Sequence, residues 1–473
     1  MGEPIPVRPP LDGEPVTETI APERPPLELN GRDYAIFLLR LAAEIEHGLM
    51  VQYLFAAYSL GGPDVPAGRQ ERVRAWQDTI LGVAKEEMGH LVTVQNLLTA
   101  LGGPLQFNRE DYPNDSVLYE SGFRLQPFSL GTLATYICAE SPGDWEQTNP
   151  DQAREIKRQA TDESGGVVNR VGRLYQELID VVGDAALVPD SAFDSGSGVY
   201  QATWDAWGRG FRRGERGPAG GGPADDPDPR DEHELVIVTV TSRTTALEAL
   251  RLIADQGEGF GSPDDDESHF DRFVEIHGEL SALEPQEQRA LVRSLAPNPT
   301  THLDGQDVRP KAKRTLTSTS AISNPEARLW AHLFNVRYRK LLVSLSHSFE
   351  LAAQRGGPGD GGPRGALINR SFAEMYNLRS IAGVLVGLAL DHADPEGERA
   401  GPPFQMPHTL MLAHGEPDRW RLHRDMLDAS ATLLERIRNA GGTGAGRAYA
   451  DALTHADRIE RDQVELLIAA PQP

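Results

Sequence analysis

The chain has 473 residues, and its 46 Lys plus Arg against 70 Asp plus Glu leave a formal net charge of −24. A balance this acidic repels nucleic acid and anionic membrane surfaces, and 39% hydrophobic with 25% charged residues is the composition of an ordinary globular protein. A single cysteine, Cys138, excludes an internal disulfide, an iron–sulfur cluster and a Cys-rich zinc site carried by one chain, and fits a reducing compartment.

In chain order, residues 1–28 are rich in Pro and acid, lack the apolar core of a secretory signal, and read as an extended arm. Apolar residues at three- and four-residue spacings from Arg32 to Leu60 predict a long helix that stops at Gly61-Gly62-Pro63. A second runs from Gln70 to Leu101 and stops at Gly102-Gly103-Pro104. A short helix is expected over Leu130–Glu140, halted by Pro142, and another over Pro150–Val182. Residues 209–232 hold the densest Gly/Pro/charge cluster and read as an insertion. The run Leu235–Thr241 has the composition of a strand.

Helical pattern resumes over Thr244–Gly257 and Ser268–Ala282, and residues 291–323 read as an irregular linker. Four further helices follow: Asn324–Gln354, Leu367–Leu390, Pro417–Asn439 and Gly446–Ile468. The longest uncharged apolar stretch, Ile381–Leu390, is too short to span a bilayer. The expectation is an all-α protein with minor β segments, located in the cytoplasm. Its units are the arm (1–28), a bundle (29–290), the linker (291–323) and a C-terminal helical region packed on the bundle (324–473).

Several acids fall where a core should be. On a wheel of about 100° per residue, Glu46 lies inside the apolar arc of the first helix, and Glu87 lies at the centre of the stripe of the second. An ionised carboxylate among aliphatic side chains costs several kcal/mol unless a cation meets it. His90 stands one turn beyond Glu87, and Glu-x-x-His aims both side chains at one volume. Glu140 closes the short helix, Glu258 shares an inward face with Leu247, Leu250 and Ala254, and His269 opens the next helix beside Phe273 and Ile276. An oxygen-rich set with two imidazoles suits iron, or manganese, better than zinc.

Each signal has a plainer reading. A single Glu-x-x-His is weak by itself, and a buried salt bridge would also account for Glu87. The second such pair, Glu44 with His47, places its Glu away from the stripe and reads as a surface feature. His277, His332 and His347 read as packing residues, Cys138 as a small core residue, and Asp264-Asp265-Asp266-Glu267 as a solvated loop tip. No dinucleotide fingerprint, phosphate-binding Gly-Lys-Ser/Thr loop or nucleophile elbow is present.

The stretches AEIEHGLMVQYLFAAYSL (43–60), VAKEEMGHLVTVQNLLTALGGP (83–104), TYICAESP (135–142), RVGRLYQELI (170–179) and ALEALRLIADQGEGFGSPDDDESHFDRFVEIH (246–277) resemble the ferritin-like domain of bacterial iminophenyl-pyruvate dimer synthases. The resemblance implies a ferritin-like four-helix core elaborated by extra helices. It implies a metal site of Glu46, Glu87, His90, Glu140, Glu258 and His269, with Tyr53 and Tyr136 as candidate partners of the ligands.

Two departures stand out. The fourth helix of a ferritin carries its own Glu-x-x-His, a spacing missing here. Arg173 stands where relatives often carry an acid, with Glu163 and Glu177 on the same expected helix as substitutes. The coupling enzymes are far longer and use haem, and no motif here fixes an axial haem ligand. The resulting expectation is a non-haem iron (one or two ions, or manganese) oxidoreductase acting on a small organic molecule such as an amino-acid-derived imine. Its alternatives are an iron-binding or sensing protein without turnover, and a degenerate site whose acids pair with Arg173.

Overall fold

The computed structural model describes residues 28–114, 122–194, 196–207, 235–258, 267–302, 318–353, 362–406, 411–441 and 444–470. The expected arm (but for its last residue), the Gly/Pro insertion and the Asp264–Asp266 tip lie outside the described residues.

Helix α1 (Gly31–Ser59) starts where the Asn30 side chain accepts from the Asp33 N–H, and ends before Gly61 and Gly62, both at positive φ. From Glu46 to Ser59 every residue but Leu54 is buried. A helix buried all round is a central one. Helix α2 (Gln70–Ala100) packs along α1 and is likewise buried from Glu86 onward, Thr99 excepted. Gly102, at φ 67°, turns the chain out of it.

Helix α3 (Leu130–Ala139) is capped by Ser129, whose hydroxyl accepts from the Thr132 N–H, and Glu140 is its C-terminal cap residue. After the single turn α4 (Trp145–Thr148) the helix expected over 150–182 divides into α5 (Pro150–Ser164) and α6 (Gly172–Gly183). The break is Gly165, in the left-handed region at φ 75°, followed by Gly166. Glu163 and Glu177 therefore stand on different helices.

The short α7 (Trp204–Trp207) precedes the run expected as a strand. Among the described residues, 236–241 have no partner strand; side chains of α2 and of Gln201 take that place. Thr93 Oγ1 donates to Val236 C=O at 2.6 Å and Asn96 Nδ2 to Val238 C=O at 2.8 Å. Composition alone cannot distinguish a strand from an extended segment whose backbone is satisfied by a neighbouring helix.

Helix α8 (Arg243–Glu258) leads to α9 (His269–Ser281), which opens with a reciprocal capping box between Ser268 and Asp271. The turn α10 (Pro285–Ala290) follows. The expected linker is pinned on both sides: Leu60 bridges Val292, Leu295 bridges Arg399, and β1 (Pro299–Thr300) pairs in parallel with β2 (Ser320–Ala321).

The last helices are α11 (Pro325–Ser348), α12 (Pro363–Leu385), α13 (Glu416–Asn439) and α14 (Gly444–Ala469), with α11 packed on both α12 and α13, and α13 on α14. One apolar cluster runs from Tyr34 of α1 through Phe334 and Tyr338 of α11 to Leu453 of α14. Among the described residues, no helix is long and apolar enough to cross a membrane.

Two further sequence readings need correction. His47 is not at the surface: it is fully buried, and its Nε2 is hydrogen-bonded to the Tyr338 hydroxyl. The cover comes from α11, nearly 300 residues downstream, which no wheel of α1 can show. His347, read without a carboxylate in register, meets one from another helix, with Nε2 at 3.1 Å from both Glu416 oxygens. Cys138 is buried, and burial pushes its thiol up to about 12, so it is no thiolate nucleophile.

Candidate metal centre

Five residues expected from the sequence converge. Glu46 projects from α1, Glu87 and His90 from α2, Glu140 from the end of α3, and His269 from the first position of α9, and all are buried. They form two sets, Glu46–Glu87–His90 and Glu87–Glu140–His269. In each, one donor atom per residue lies within 4.8 Å of the others, and Glu87 belongs to both.

His90 Nδ1 is 3.0 Å from Glu87 Oε2 and 3.3 Å from Glu46 Oε2. His269 Nδ1 is 3.0 Å from Glu87 Oε1 and 3.9 Å from Glu140 Oε2. Glu87 Oε1 and His269 Nδ1 approach without the alignment of a hydrogen bond and make none elsewhere. Buried polar atoms are rarely left so. A carboxylate oxygen and an imidazole nitrogen this close in an enclosed site are the donor types a divalent cation takes, displacing the ring proton as it binds. The residues therefore fit a metal.

Electrostatics point the same way. Burial, then the charge of Glu46, raises the Glu87 carboxyl well above the usual range. Burial acts on Glu46 too, but hydrogen bonding with Glu87, His90 and Tyr175 outweighs it and leaves that carboxyl lowered. For His269, burial opposes protonation while Glu87, Glu140 and Glu86 favour it, and the ring is pushed up to about 10. Three acids and two imidazoles in so small a volume call for positive charge.

Around this set stand Tyr53 and Tyr136, expected as partners of the ligands, and Tyr175, Gln256 and Glu86, which sequence reasoning missed. The Tyr175 hydroxyl, from α6, donates to Glu46 Oε1, and the Tyr53 hydroxyl donates to Glu140 Oε1 at 2.5 Å. Burial and the neighbouring carboxylates raise both phenols well above their ordinary value, so they stay donors. Tyr136, by contrast, donates to the Gln52 carbonyl and stacks edge-on against Tyr53, one step removed. Gln256 Oε1 lies 2.8 Å from His90 Nε2, and Glu86 Oε2 lies 2.9 Å from His269 Nε2.

Arg272 binds Glu86 through two nitrogens; despite burial, His269 and Arg272 hold that carboxyl at about 2. The only signal for Glu86 is its place beside Glu87. Its burial depends on α9 packing over α2, a tertiary fact.

Arg173 is exposed, and the acids meet tyrosines and histidines instead. Glu177 accepts from the Tyr34 hydroxyl, and Glu163 is half-buried on α5, its carboxyl raised by burial; neither joins the set. Glu258 ends α8, but its side chain lies outside the described residues. A narrow cleft between the start of α6 (Val171, Gly172) and the end of α8 (Ala254, Gly257) reaches Glu46, Glu87, His90 and Glu140. It has room for about one water molecule.

This fold and this set of buried acids and imidazoles are those of a ferritin-like protein. The chain belongs to the ferritin-like family, whose profile matches residues 39–278, from within α1 to within α9. It is 26% identical over 416 residues to dichlorochromopyrrolate synthase of Lentzea aerocolonigenes, covering 78% of this chain and 35% of that protein. It is 25% identical over 409 residues to 2-imino-3-(indol-3-yl)propanoate dimerase of Chromobacterium violaceum, covering 78% and 33%. The chain thus spans about a third of the length of these two relatives, both enzymes by name. A crystal structure of a ferritin-like protein from Caulobacter vibrioides aligns over 76% of this chain and 98% of its own, at 18% identity and a TM-score of 0.41.

Proposed function

We propose that this protein is a non-haem, iron-dependent oxidoreductase acting on a small organic molecule, with an amino-acid-derived imine as the favoured substrate class. Glu46, Glu87, His90, Glu140 and His269 would hold one or two iron ions, with manganese as a substitute, and Glu258 is a sixth candidate. The carrying observation is the pair of donor sets sharing Glu87, with Glu87 Oε1 and His269 Nδ1 unbonded between them. The substrate class rests on the imine named for one relative and on the synthase activity named for the other. Residues 29–290 would be the unit that carries the chemistry, with 324–473 packed on it.

Bound iron supplies the capacity to exchange electrons with oxygen or peroxide. The chain's own residues do the rest. Tyr53 fixes Glu140 Oε1 and Tyr175 fixes Glu46 Oε1, each keeping its proton there, so that Oε2 of each carboxylate would be the oxygen offered to a cation. Leu49, Val171, Ile253 and Ala254 line the cleft with apolar surface and limit the water that reaches the acids.

Elemental analysis of protein from iron-supplemented cells, with anomalous diffraction at the iron edge, tests the proposal. Iron at the Glu87 carboxylate is the expected result; metal-free protein would overturn it. Iron binding or sensing without turnover is the second reading, favoured by a cleft far smaller than an aromatic imine. Oxygen uptake by the iron-loaded protein separates the two: stimulation by an α-imino acid marks the enzyme, and indifference marks sequestration.

A further inference from the structure

The five donors divide into halves that match group for group. Glu46 and His90 make one, Glu140 and His269 the other, and Glu87 is common to both. Each terminal carboxylate receives one phenol hydroxyl, from Tyr175 and Tyr53 respectively. Each imidazole turns Nδ1 toward Glu87, at 3.0 Å in both cases. The match ends at the outward nitrogens. His90 Nε2 meets the Gln256 side-chain oxygen, a neutral acceptor, at 2.8 Å. His269 Nε2 meets a Glu86 carboxylate oxygen at 2.9 Å.

Glu86 is buried and gripped by two nitrogens of Arg272, which stands one turn beyond His269 on the same helix. One helix end thus delivers both the imidazole and the clamp that keeps Glu86 behind it. A carboxylate accepting from an imidazole N–H fixes the tautomer and makes the opposite nitrogen a stronger base, and losing such a partner costs about 10- to 100-fold in metal affinity. Arg272 offsets the long-range charge of Glu86 but leaves its hydrogen bond to the ring in place.

We infer that the two cation positions are unequal, and that the Glu140–His269 position binds more tightly and fills first because Glu86, a positioning residue, holds the outer nitrogen of its imidazole. The inference rests on the metal reading above and adds an order of loading to it.

The test is titration of chelator-stripped, full-length protein with Co2+ alone, followed by calorimetry and by the cobalt absorption bands. The wild type is expected to take up two cations in two resolved steps. Glu86→Gln should weaken the first step by about 10- to 100-fold and leave the second in place. Gln256→Glu, which gives His90 a carboxylate partner, should strengthen the second step and draw the two together.

Two equal steps in the wild type, uptake of a single cation, an unchanged Glu86→Gln isotherm, or equal weakening of both steps would each overturn the inference and leave metal binding standing. No cobalt uptake by the wild type removes the metal reading and the inference with it. If Glu86→Gln fails to fold, Gln256→Glu decides, since an unmoved second step counts against the inference.

Discussion

Gly257 faces the Glu140 carboxylate so closely that a methyl group in its place would come within 3.0 Å of Oε2. In a helix, Gly→Ala is normally worth up to about 1 kcal/mol of stability, and here that gain competes with crowding of a candidate ligand. Gly257→Ala is therefore expected to leave the melting temperature unchanged or higher while lowering cobalt affinity, read by thermal denaturation and titration of one sample. Glu87→Ala is expected to lose both cations with the helices intact, read by elemental analysis and far-UV circular dichroism; wild-type metal content in that variant would refute the role of Glu87.

At this scale Glu46, Glu87 and His90 are legible, because helical periodicity alone puts acids among aliphatic neighbours. Glu86, Gln256 and Tyr175 are not. Each acts through contact with a distant helix, and nothing in their local pattern separates them from solvated residues.

Helix α11 carries a second set of buried charges. Glu374 of α12 accepts from Arg337 at 3.1 Å and from Lys340 at 2.9 Å, and Arg337 also holds Asp457 of α14 at 2.6 Å. Burial pushes the Glu374 carboxyl up, but Lys340 and Arg337 outweigh it and the group ends below its ordinary value. A depressed carboxyl contributes stability above its unfolded pKa of about 4.3, and that contribution is lost as pH falls through the lower folded value. Glu374→Gln removes the acid that the two cations share but leaves Arg337 with Asp457 and Lys340 with Glu460, and is expected to cost about 1.5–3 kcal/mol at pH 7 and to flatten the loss of stability below about pH 4. Urea unfolding at both pH values measures both effects.

The ends of α1, α2 and α3 are legible from Gly-Gly-Pro and Ser/Pro signals, which act within one turn. The break at Gly165-Gly166 is also written locally, yet the apolar period continues across it and suggests one helix. The extended run 236–241 is misread for the opposite reason, since its hydrogen-bond partners are side chains, those of Thr93 and Asn96 on a helix about 140 residues earlier and that of Gln201.

Over the whole molecule, the apolar cluster around the candidate metal centre continues without a break into the C-terminal helices. Phe404 packs edge-on against Phe334 and Tyr338 of α11, and Gly401 lies against the Phe55 ring of α1. A chain ending at residue 323 would expose these surfaces and leave His47 without Tyr338. It is expected to aggregate or to bind bis-ANS strongly, whereas the full chain unfolds in one calorimetric transition; two separate transitions would show that the halves fold independently.

Asn96 also acts at this scale. Its side chain donates to Ala202 C=O and Val238 C=O and accepts from the Ala202 N–H, so one α2 residue grips the chain on both sides of residues 208–234. Departure and return are thereby fastened to the helix that bears Glu87, whatever peptide joins them. A change of sequence confined to 208–234, by drift or by an engineered splice, removes neither fastening.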